Sequence, residues 1–466
     1  MHPDNTKLGN TEFSLRREQY ISYQFLKYIR PIWYFHLKPK KSLNVWVDFE
    51  KLSSKERALI HYDSGYSHPT ICAWDASYQA LMKGIVKKTG NNIQTDEIEL
   101  LPRDIYRFIR KYHKKIWLYV VFFQRLFSLF NPISEFIGLW QTRHVGKYNL
   151  FHTHYVYDKY PDYDSSLIKS NPLLSIIIPT YNRYEPLNNL LKDLEEQTYT
   201  NFEVILIDQS KPFQKELCNN FNIRHHIIRQ EEPALWKARN RGIKSAKSEY
   251  LLFLDDDSRI APDWISSHLK CIDYYDAQLS SGISLSISGA KVPENYYFFR
   301  WGDQLDTGNV LIKREVFNEC GLFDKQFEKM RMGDGEFGLR AYLNGFKNIS
   351  NPEAFREHLK ISKGGLRDLG SWDAFRPTKL FSPRPVPSVF YFWRKYWGNK
   401  SALLSCIITI PFSLSPYKYK DSIRGLFCSI IIFFMVFPII LIQVILSWNI
   451  SSKMLKQGAI IEKLSP

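Results

Sequence analysis

From Pro172 onwards, short apolar runs alternate with segments of helical periodicity. The apolar runs have strand length and lie at 173–179, 202–207 and 250–254. Runs with so few polar positions predict strands that are covered on both faces of a sheet. The segments between and after them carry apolar residues at helical spacing, at 185–197, 232–247 and 262–275. This alternation predicts an α/β domain with a mostly parallel sheet and helices on both faces.

Three further apolar stretches lie outside this domain. The longest uninterrupted one, 425–448, has no charged residue and at about 1.5 Å per residue can cross roughly 30 Å of hydrocarbon. A core helix is rarely apolar all round for such a length, so we expect a transmembrane helix. Polar residues and Pro132 interrupt 115–140, which favours an interfacial or core-packed helix over a span. If the short run 401–414 entered the bilayer, the C-terminal tail would lie on the other side of the membrane.

These patterns predict an N-terminal accessory region of mainly helical character, the α/β domain, an aromatic and basic juxtamembrane region, a membrane helix and a tail. The expected bounds are 1–171, 172–375, 376–424, 425–448 and 449–466. Six Lys or Arg residues lie at 394–424 and three follow the apolar stretch. Because positive charge concentrates in cytoplasmic loops, we expect the α/β domain to face the cytoplasm at the cell (inner) membrane.

The chain is strongly basic, with 63 Lys and Arg against 47 Asp and Glu and a formal net charge of +16. This excess favours an anionic partner such as a phosphorylated substrate, a nucleic acid or a membrane surface. Basic and aromatic residues interleave at 14–46, a pattern also found on the outside of ordinary helical domains. Since nucleic-acid binding would rest on charge alone, it is not expected. The six cysteines show no CxxC spacing, which argues against zinc-ribbon and thioredoxin-type sites.

Polar clusters follow three predicted strands. They are Thr180-Tyr181-Asn182-Arg183, Asp208-Gln209-Ser210 and Asp255-Asp256-Asp257. Ligands of open α/β sheets bind beyond the carboxyl ends of the strands, so these clusters are expected at one edge of the sheet. Three adjacent carboxylates repel one another unless a cation neutralises them. Mg²⁺ or Mn²⁺ accepts such oxygen ligands together with phosphates. The alternative is that they cap the helix predicted at 262–275.

Five segments follow one another between residues 175 and 346: SIIIPTYNR, VILIDQS, ARNRGIKSAKSEYLLFLDDDSRI, TGNVLIKREVFNECGLFD and MGDGEFGLRAYLNGF. In this order and at these separations they resemble the inverting family-2 glycosyltransferases of the GT-A fold, which is a Rossmann-related α/β architecture. The resemblance covers about 172–367. It implies a nucleotide-sugar donor and a bound Mg²⁺ or Mn²⁺.

The resemblance also implies roles for individual residues. The loop that lines the nucleotide pocket matches Pro179, Thr180, Tyr181 and Arg183, and the carboxylate that binds the base matches Asp208. The motif beside the nucleotide and diphosphate matches Arg239 and Asn240. The Asp-x-Asp pair matches Asp255 and Asp257, with Asp256 between them among the substrate-binding residues. The general base matches Asp334, and a histidine that completes the metal ligands in some relatives matches His358.

The chain departs from the family pattern at two places. Gly333 replaces the glutamate that normally precedes the base, so the assignment rests on Asp334, with Glu336 as the second choice and helix capping as the alternative for Asp334. Gln209 and Ser210 follow Asp208 where a second acidic residue is usual. The QxxRW motif of processive members is absent, which favours transfer of a single sugar. Two weaker candidates are Trp301 as a sugar-stacking ring and 363–367 as a loop over the diphosphate.

We therefore expect metal-dependent inverting transfer from a nucleotide sugar to a hydroxyl of a lipid-linked or cell-surface polysaccharide precursor. Two other classes remain open. A non-catalytic membrane scaffold that kept the fold would explain Gly333. A nucleotidyltransferase would share the sheet and metal, but it usually needs a glycine-rich basic loop after the first strand, where this chain has Thr-Tyr-Asn-Arg.

Overall fold

The computed structural model describes residues 23–40, 43–87, 98–286, 292–361, 364–365, 373–377, 379–414 and 423–464. The helices are α1 Ser54–Arg57, α2 Pro69–Met82, α3 Pro102–Tyr112, α4 Ile116–Phe127, α5 Pro132–Gln141, α6 Ser166–Ser170, α7 Tyr184–Glu195, α8 Leu235–Ser245, α9 Trp264–Tyr275, α10 Arg314–Cys320, α11 Gly333–Leu343, α12 Pro387–Ser413, α13 Ile423–Met435 and α14 Phe437–Gln457. The strands are β1 Leu174–Thr180, β2 Phe202–Asp208, β3 His225–Arg229, β4 Tyr250–Leu254, β5 Ser258–Ile260, β6 Leu279–Ser286, β7 Arg300–Trp301, β8 Asn309–Lys313 and β9 Asn348–His358.

One nine-stranded sheet forms the centre of the protein. Its strand order is β3-β2-β1-β4-β8-β6-β9-β5, and β7 pairs with β9. The strands β3, β2, β1 and β4 run parallel, while β8 runs antiparallel to both β4 and β6. The parallel strands are the ones that the apolar runs predict, with β3 added at the edge. The predicted α/β class is confirmed.

Helices cover both faces of the sheet because successive strand residues point to opposite sides. Ile176 and Ile178 of β1 pack into the core that contains the apolar residues of α7 and α9. Ile177 faces the other side, toward α8. Burying each such side chain contributes about 1.5–3 kcal/mol, so a run that is apolar at every position is stable only between two helical layers.

The N-terminal region is mainly helical, as predicted, and it packs against the α/β domain. An aromatic cluster fills its interior, with the rings of Phe25 and Phe108 stacked at 4.3 Å. The region reaches the α/β domain through side chains. The Trp33 indole donates to Asp303 at 2.8 Å, and the Tyr34 hydroxyl donates to the carbonyl of Gly335. The stretch 115–140 forms two helices, α4 and α5, which are separated at Asn131-Pro132.

The apolar C-terminal region contains three helices. The predicted span 425–448 is divided between α13 and α14, which meet at Val436. The run 401–414 continues α12, which is kinked at Gly398. Among the described residues, α14 is the helix that is long and apolar enough to cross a membrane by length and composition, and 28% of its apolar stretch is buried.

The residues that follow α14 return to the α/β domain. The backbone N–H of Leu322 donates to the carbonyl of Glu462 at 2.8 Å, and the N–H of Ile460 donates to the Asp324 carboxylate at 2.9 Å. The same carboxylate accepts a 3.0 Å hydrogen bond from Tyr391 of α12. The chain therefore contacts the same part of the α/β domain before and after the apolar helices. This arrangement differs from the predicted tail at 449–466, whose first residues belong to α14.

Candidate active site

A cleft of about 900 Å³ lies beyond the carboxyl ends of the parallel strands. The register of β1 and β2 places Thr180 beside Asp208, and the three aspartates follow β4. The side chains predicted from the sequence that line this cleft are Pro179, Tyr181, Arg183, Arg239, Asp255, Asp256, Asp257, Asp334 and His358. Residues separated by as much as 179 positions, Pro179 and His358, thus share one cavity.

Asp255, Asp257 and His358 form a group that can hold a metal ion. Each offers one ligand atom, and these atoms lie within 4.8 Å of one another. His358 arrives through β9, which pairs with β5 so that Ser258 lies beside His358. The N–H of Leu359 donates to the Asp257 carbonyl at 2.9 Å. The aspartate triplet precedes β5 and not a helix, and the residue before α9 is Asp263, so helix capping does not explain it.

The two buried aspartates of the triplet have different surroundings. Asp256 accepts a 2.8 Å hydrogen bond from the Thr180 hydroxyl, and burial raises the pKa of Asp256 to about 7. Burial acts on Asp257 in the same direction. However, the hydrogen bond from His358, together with the positive charge of Arg183 at 3.0 Å, lowers the pKa of Asp257 to about 2. The surroundings of these two adjacent carboxyl groups thus move their pKa values in opposite directions.

Two arginines hold the third carboxylate. Asp255 accepts from Arg239 Nη2 at 2.8 Å and from Arg356 Nη1 at 3.1 Å. Arg356 also pairs with Asp306 at 3.1 Å, and Asp306 accepts from Ser284 at 2.6 Å. The sequence interpretation missed Arg356 and Asp306, although both line the cleft. Arg356 stands two residues before His358 on one strand, so strand periodicity places both on the same face.

Asp334 lies half-buried in the same cleft, at the second residue of α11. The position before the helix is taken by Met332, in a left-handed conformation, and no side chain caps this helix end. Asp334 accepts from the N–H of Gly335 at 2.8 Å. Burial and the nearby negative charge of Asp306 raise the pKa of Asp334. A carboxyl group with a raised pKa at a cleft is what proton transfer requires.

A comparison with known protein families shows to which class the α/β part of the chain belongs. The family described as "Glycosyl transferase family 2" matches residues 175–323. This segment is a family-2 glycosyltransferase domain. The match spans β1 through α10 and includes the aspartate triplet. The sheet and the family match together confirm the GT-A-type expectation for this part of the chain.

Related proteins share this domain at modest identity. Glycosyltransferase GlyA of Streptococcus pneumoniae is 28% identical over 166 residues, which are 34% of this chain and 22% of that protein. The amylovoran biosynthesis glycosyltransferase AmsB of Erwinia amylovora is 24% identical over 221 residues, 42% of this chain and 72% of AmsB. The chain thus spans about a fifth of the length of GlyA. The mannosyltransferase PcManGT of Pyrobaculum calidifontis, solved with GDP-Man and Mn²⁺, is 12% identical with a TM-score of 0.39, covering 60% of this chain and 80% of that structure.

Three residues predicted for the site lie outside the cleft lining of the glycosyltransferase domain. Thr180 supports Asp256, as described above. Asn240 bonds the backbone of Phe323 through both its amide nitrogen and its amide oxygen, each at 2.9 Å. Asp208 is fully buried and accepts from the Tyr184 hydroxyl at 2.7 Å and the Ser210 N–H at 2.8 Å. These contacts place Asn240 and Asp208 behind the cleft wall.

Glu336, the second choice for the base, does not fit that role. Its side chain is fully buried and does not line the cleft of the glycosyltransferase domain. Arg340 lies 3.0 Å away, Lys395 of α12 lies 3.0 Å away, and the Tyr396 hydroxyl donates at 2.5 Å. Burial alone would raise the pKa of Glu336. The positive charges of Arg340 and Lys395 have the larger effect and lower this pKa to about 2. Through these contacts Glu336 joins α11 to α12.

The two weaker candidates have separate outcomes. Trp301 is buried, with 2% of its surface exposed, so its ring is not an open stacking surface. Of the predicted loop 363–367, Gly364 and Gly365 are described and the other positions lie outside the described residues. The N–H of Gly365 donates to the carbonyl of Tyr181 at 2.8 Å, and Gly365 lines the cleft.

Proposed function

We propose that the protein transfers a sugar from a nucleotide-sugar donor to a hydroxyl of a lipid-linked or cell-surface polysaccharide precursor, with inversion and with a bound divalent metal. The proposal rests on one observation: Asp255, Asp257 and His358 lie together in the cleft that also contains Asp334. The name of AmsB, a protein of amylovoran biosynthesis, supports the polysaccharide part.

The proposed metal is Mg²⁺ or Mn²⁺. The donor set fits such an ion because two carboxylates and one imidazole converge within 4.8 Å. Carboxylates suit either ion, whereas Mg²⁺ seldom takes nitrogen ligands, so His358 favours Mn²⁺. When bound, the metal would offset negative charge on the diphosphate leaving group.

The protein's own cations are proposed to bind the diphosphate beside the metal. Arg183, Arg239 and Arg356 line the cleft, and each is buried against at least one of the aspartates. A guanidinium group stays protonated when it is buried and binds phosphate oxygens in a planar fork. These arginines also explain how the carboxylates persist side by side before the donor arrives.

Asp334 is proposed to take the proton from the acceptor hydroxyl as its oxygen attacks the anomeric carbon. One base and one displacement give inversion, so no second nucleophilic carboxylate is needed. Asp306, the other carboxylate near Asp334, is engaged with Arg356 and Ser284, which suits a positioning role. Transfer of a single sugar, without processive polymerisation, remains part of this proposal.

The membrane part of the proposal rests on exposed apolar side chains. They lie on α4, α5, α13 and α14 and include Phe123, Phe127, Phe136, Trp140, Phe434, Met435, Phe437 and Ile442. The ring of Trp117 in α4 lies 6.2 Å from that of Phe412 in α12, so the N-terminal and C-terminal apolar helices are neighbours. We propose that these helices enter the cytoplasmic leaflet of the cell (inner) membrane together, with the glycosyltransferase domain in the cytoplasm.

The return of 458–464 to the domain changes the proposed topology. A single crossing by α14 would place its two ends on opposite sides of the membrane. Instead, α12 and the residues after α14 both contact Asp324. We therefore propose that α13 and α14 enter and leave the bilayer on the same side, turning at Val436.

The test is the binding of nucleoside diphosphates to the purified full-length protein by isothermal titration, with and without Mn²⁺. We expect binding that requires the metal and is lost in Asp257→Ala. Asp263→Ala is the matched control, because this exposed aspartate lies near the triplet in sequence and outside the cleft. Metal-independent binding, or an unchanged affinity in Asp257→Ala, would overturn the metal assignment. A binding-competent protein that turns over no donor would instead support the scaffold alternative.

A further inference from the structure

A second, smaller pocket of about 270 Å³ adjoins the cleft. Three parts of the chain build it: the N-terminal segment at Arg30–Phe35, the end of α2, and the segment at 293–303. Its lining includes Arg30, Trp33, Met82, Tyr296, Trp301 and Asp303. The volume lies just below the usual range for small-molecule sites, about 300–1,000 Å³, and suits a single ring.

The charged groups of this pocket are fixed in place by one carboxylate. Asp303 accepts from Arg30 at 3.0 Å, from the Trp33 indole at 2.8 Å and from Arg300 at 2.9 Å. Arg300 also packs under Tyr296, with its guanidinium carbon 4.6 Å from the ring centre. The pocket therefore combines the half-buried ring of Tyr296 with a rigid set of hydrogen-bonding groups. A pyranose ring has the complementary chemistry, with C–H faces for the aromatic ring and hydroxyls for the polar groups.

One polar group of the pocket lacks a partner. The Trp301 indole Nε1–H is buried and finds no acceptor within the described part of the chain. A buried donor without a partner destabilises the fold. Because Trp301 lines the pocket, a ligand hydroxyl that reached this N–H would supply the missing acceptor.

The pocket adjoins the proposed catalytic cleft. Pro293 and Tyr296 line both cavities. Gln304 of the cleft accepts hydrogen bonds from Tyr296 and, at 3.1 Å, from Arg300. On the other side, the Tyr34 hydroxyl binds the carbonyl of Gly335, next to Asp334. A chain of sugars could thus extend from the base into the pocket.

We propose that this pocket binds one sugar residue of the acceptor glycan, so that the N-terminal region selects the acceptor. The assignment of the bound sugar to the acceptor rests on the proposed function. Sugar binding by the pocket can be tested independently of that function. The N-terminal region supplies Trp33 and Arg30, and the glycosyltransferase domain supplies Trp301 and Asp303. The site is incomplete without either part.

The test measures glycoside binding by saturation-transfer NMR. The panel consists of the methyl glycosides of glucose, galactose, mannose, N-acetylglucosamine, N-acetylgalactosamine, rhamnose and glucuronic acid. The full-length protein is held in lipid nanodiscs, because a maltoside detergent would compete as a sugar. We expect at least one glycoside to bind, with loss of the signal in Met82→Trp, which fills the pocket. Trp301→Phe removes one donor and should weaken binding about threefold to tenfold.

The matched control is Trp74→Phe. Trp74 is also buried with an unpartnered Nε1–H among the described residues, but it lies outside the pocket, so this variant should bind like the parent protein. The proposal is overturned if no glycoside binds, or if Met82→Trp binds as well as the parent. Nucleoside diphosphate binding with Mn²⁺ is measured on the same samples. Its failure alongside retained glycoside binding would remove the transferase proposal and leave the sugar site standing.

Discussion

The indole ring of Trp236 occupies the space that a side chain at position 333 would need. A Cβ atom built on Gly333 would lie 2.4 Å from Cζ2 of Trp236 and 3.0 Å from Cβ of Phe327. The ring is anchored by a 3.0 Å hydrogen bond from its Nε1 to the Phe327 carbonyl, and it lines the cleft. Trp236 on α8 therefore leaves no room for a glutamate side chain at position 333 in this structure.

This contact predicts the effect of Gly333→Ala. Alanine favours a helix over glycine by up to about 1 kcal/mol, but the clash with an anchored ring should dominate and destabilise the protein by about 1–3 kcal/mol. Thermal unfolding of the purified protein measures the change. Gly335→Ala on the same helix is the control, because its nearest neighbour would be the Tyr34 hydroxyl at 3.3 Å. Equal melting temperatures for the two variants would contradict the packing account.

The burial of Glu336 predicts a stability defect and not a catalytic one. In Glu336→Gln Arg340 loses its buried counter-ion and Lys395 loses the nearer carboxylate, and breaking a buried pair in this way costs about 3–5 kcal/mol. We expect a lower melting temperature with unchanged nucleotide affinity in the folded fraction. Glu315→Gln, an exposed position on α10, should melt like the parent. If Glu336→Gln kept its melting temperature and lost turnover, Glu336 and not Asp334 would be the base.

The raised pKa of Asp334 predicts a pH profile. A general base works as the carboxylate, so kcat/KM should fall as the pH falls through the pKa of Asp334, above the usual aspartate range. Asp334→Asn should lower the rate about 10²- to 10⁴-fold. In Asp306→Asn a negative neighbour is lost, so the acid limb should move to lower pH. If the acid limb of the pH profile did not move in Asp306→Asn, the charge of Asp306 would not act on Asp334.

The sequence predicted the centre of the fold because parallel strands that are buried on both faces leave an unmistakable pattern. The predicted strands at 173–179, 202–207 and 250–254 differ from β1, β2 and β4 by at most one residue at either end. β3 was missed because its pattern is polar: both histidines and Arg229 are exposed, and Ile228 is its one fully buried side chain. An edge strand with one neighbour is stabilised by pairing with β2, which its own sequence does not reveal.

The strand-end argument predicted part of the site. The triplet after β4 and the side chains of Tyr181 and Arg183 after β1 line the cleft, whereas Asp208 at the end of β2 does not. Asp306 and Arg356 were not found, because they lie 50 positions apart and meet only in the folded chain. Glu336 was misjudged because helical spacing does not reveal that α12 supplies Lys395 and Tyr396. The turn at Val436 was also hidden, since an apolar run looks the same whether the helix continues or bends.

The contacts of the C-terminal residues predict which side of the membrane they occupy. Single cysteines at Lys192 and Lys463, both exposed, are introduced into a Cys428→Ser background, since Cys428 is the exposed cysteine among the described residues. A membrane-impermeant maleimide is then applied to right-side-out and inverted vesicles. Because 458–464 bind the glycosyltransferase domain through Leu322 and Asp324, both cysteines should react in inverted vesicles and neither in right-side-out vesicles. Reaction of the two positions in opposite preparations would mean that α14 crosses the membrane once, and that the contacts with Asp324 do not form in the bilayer.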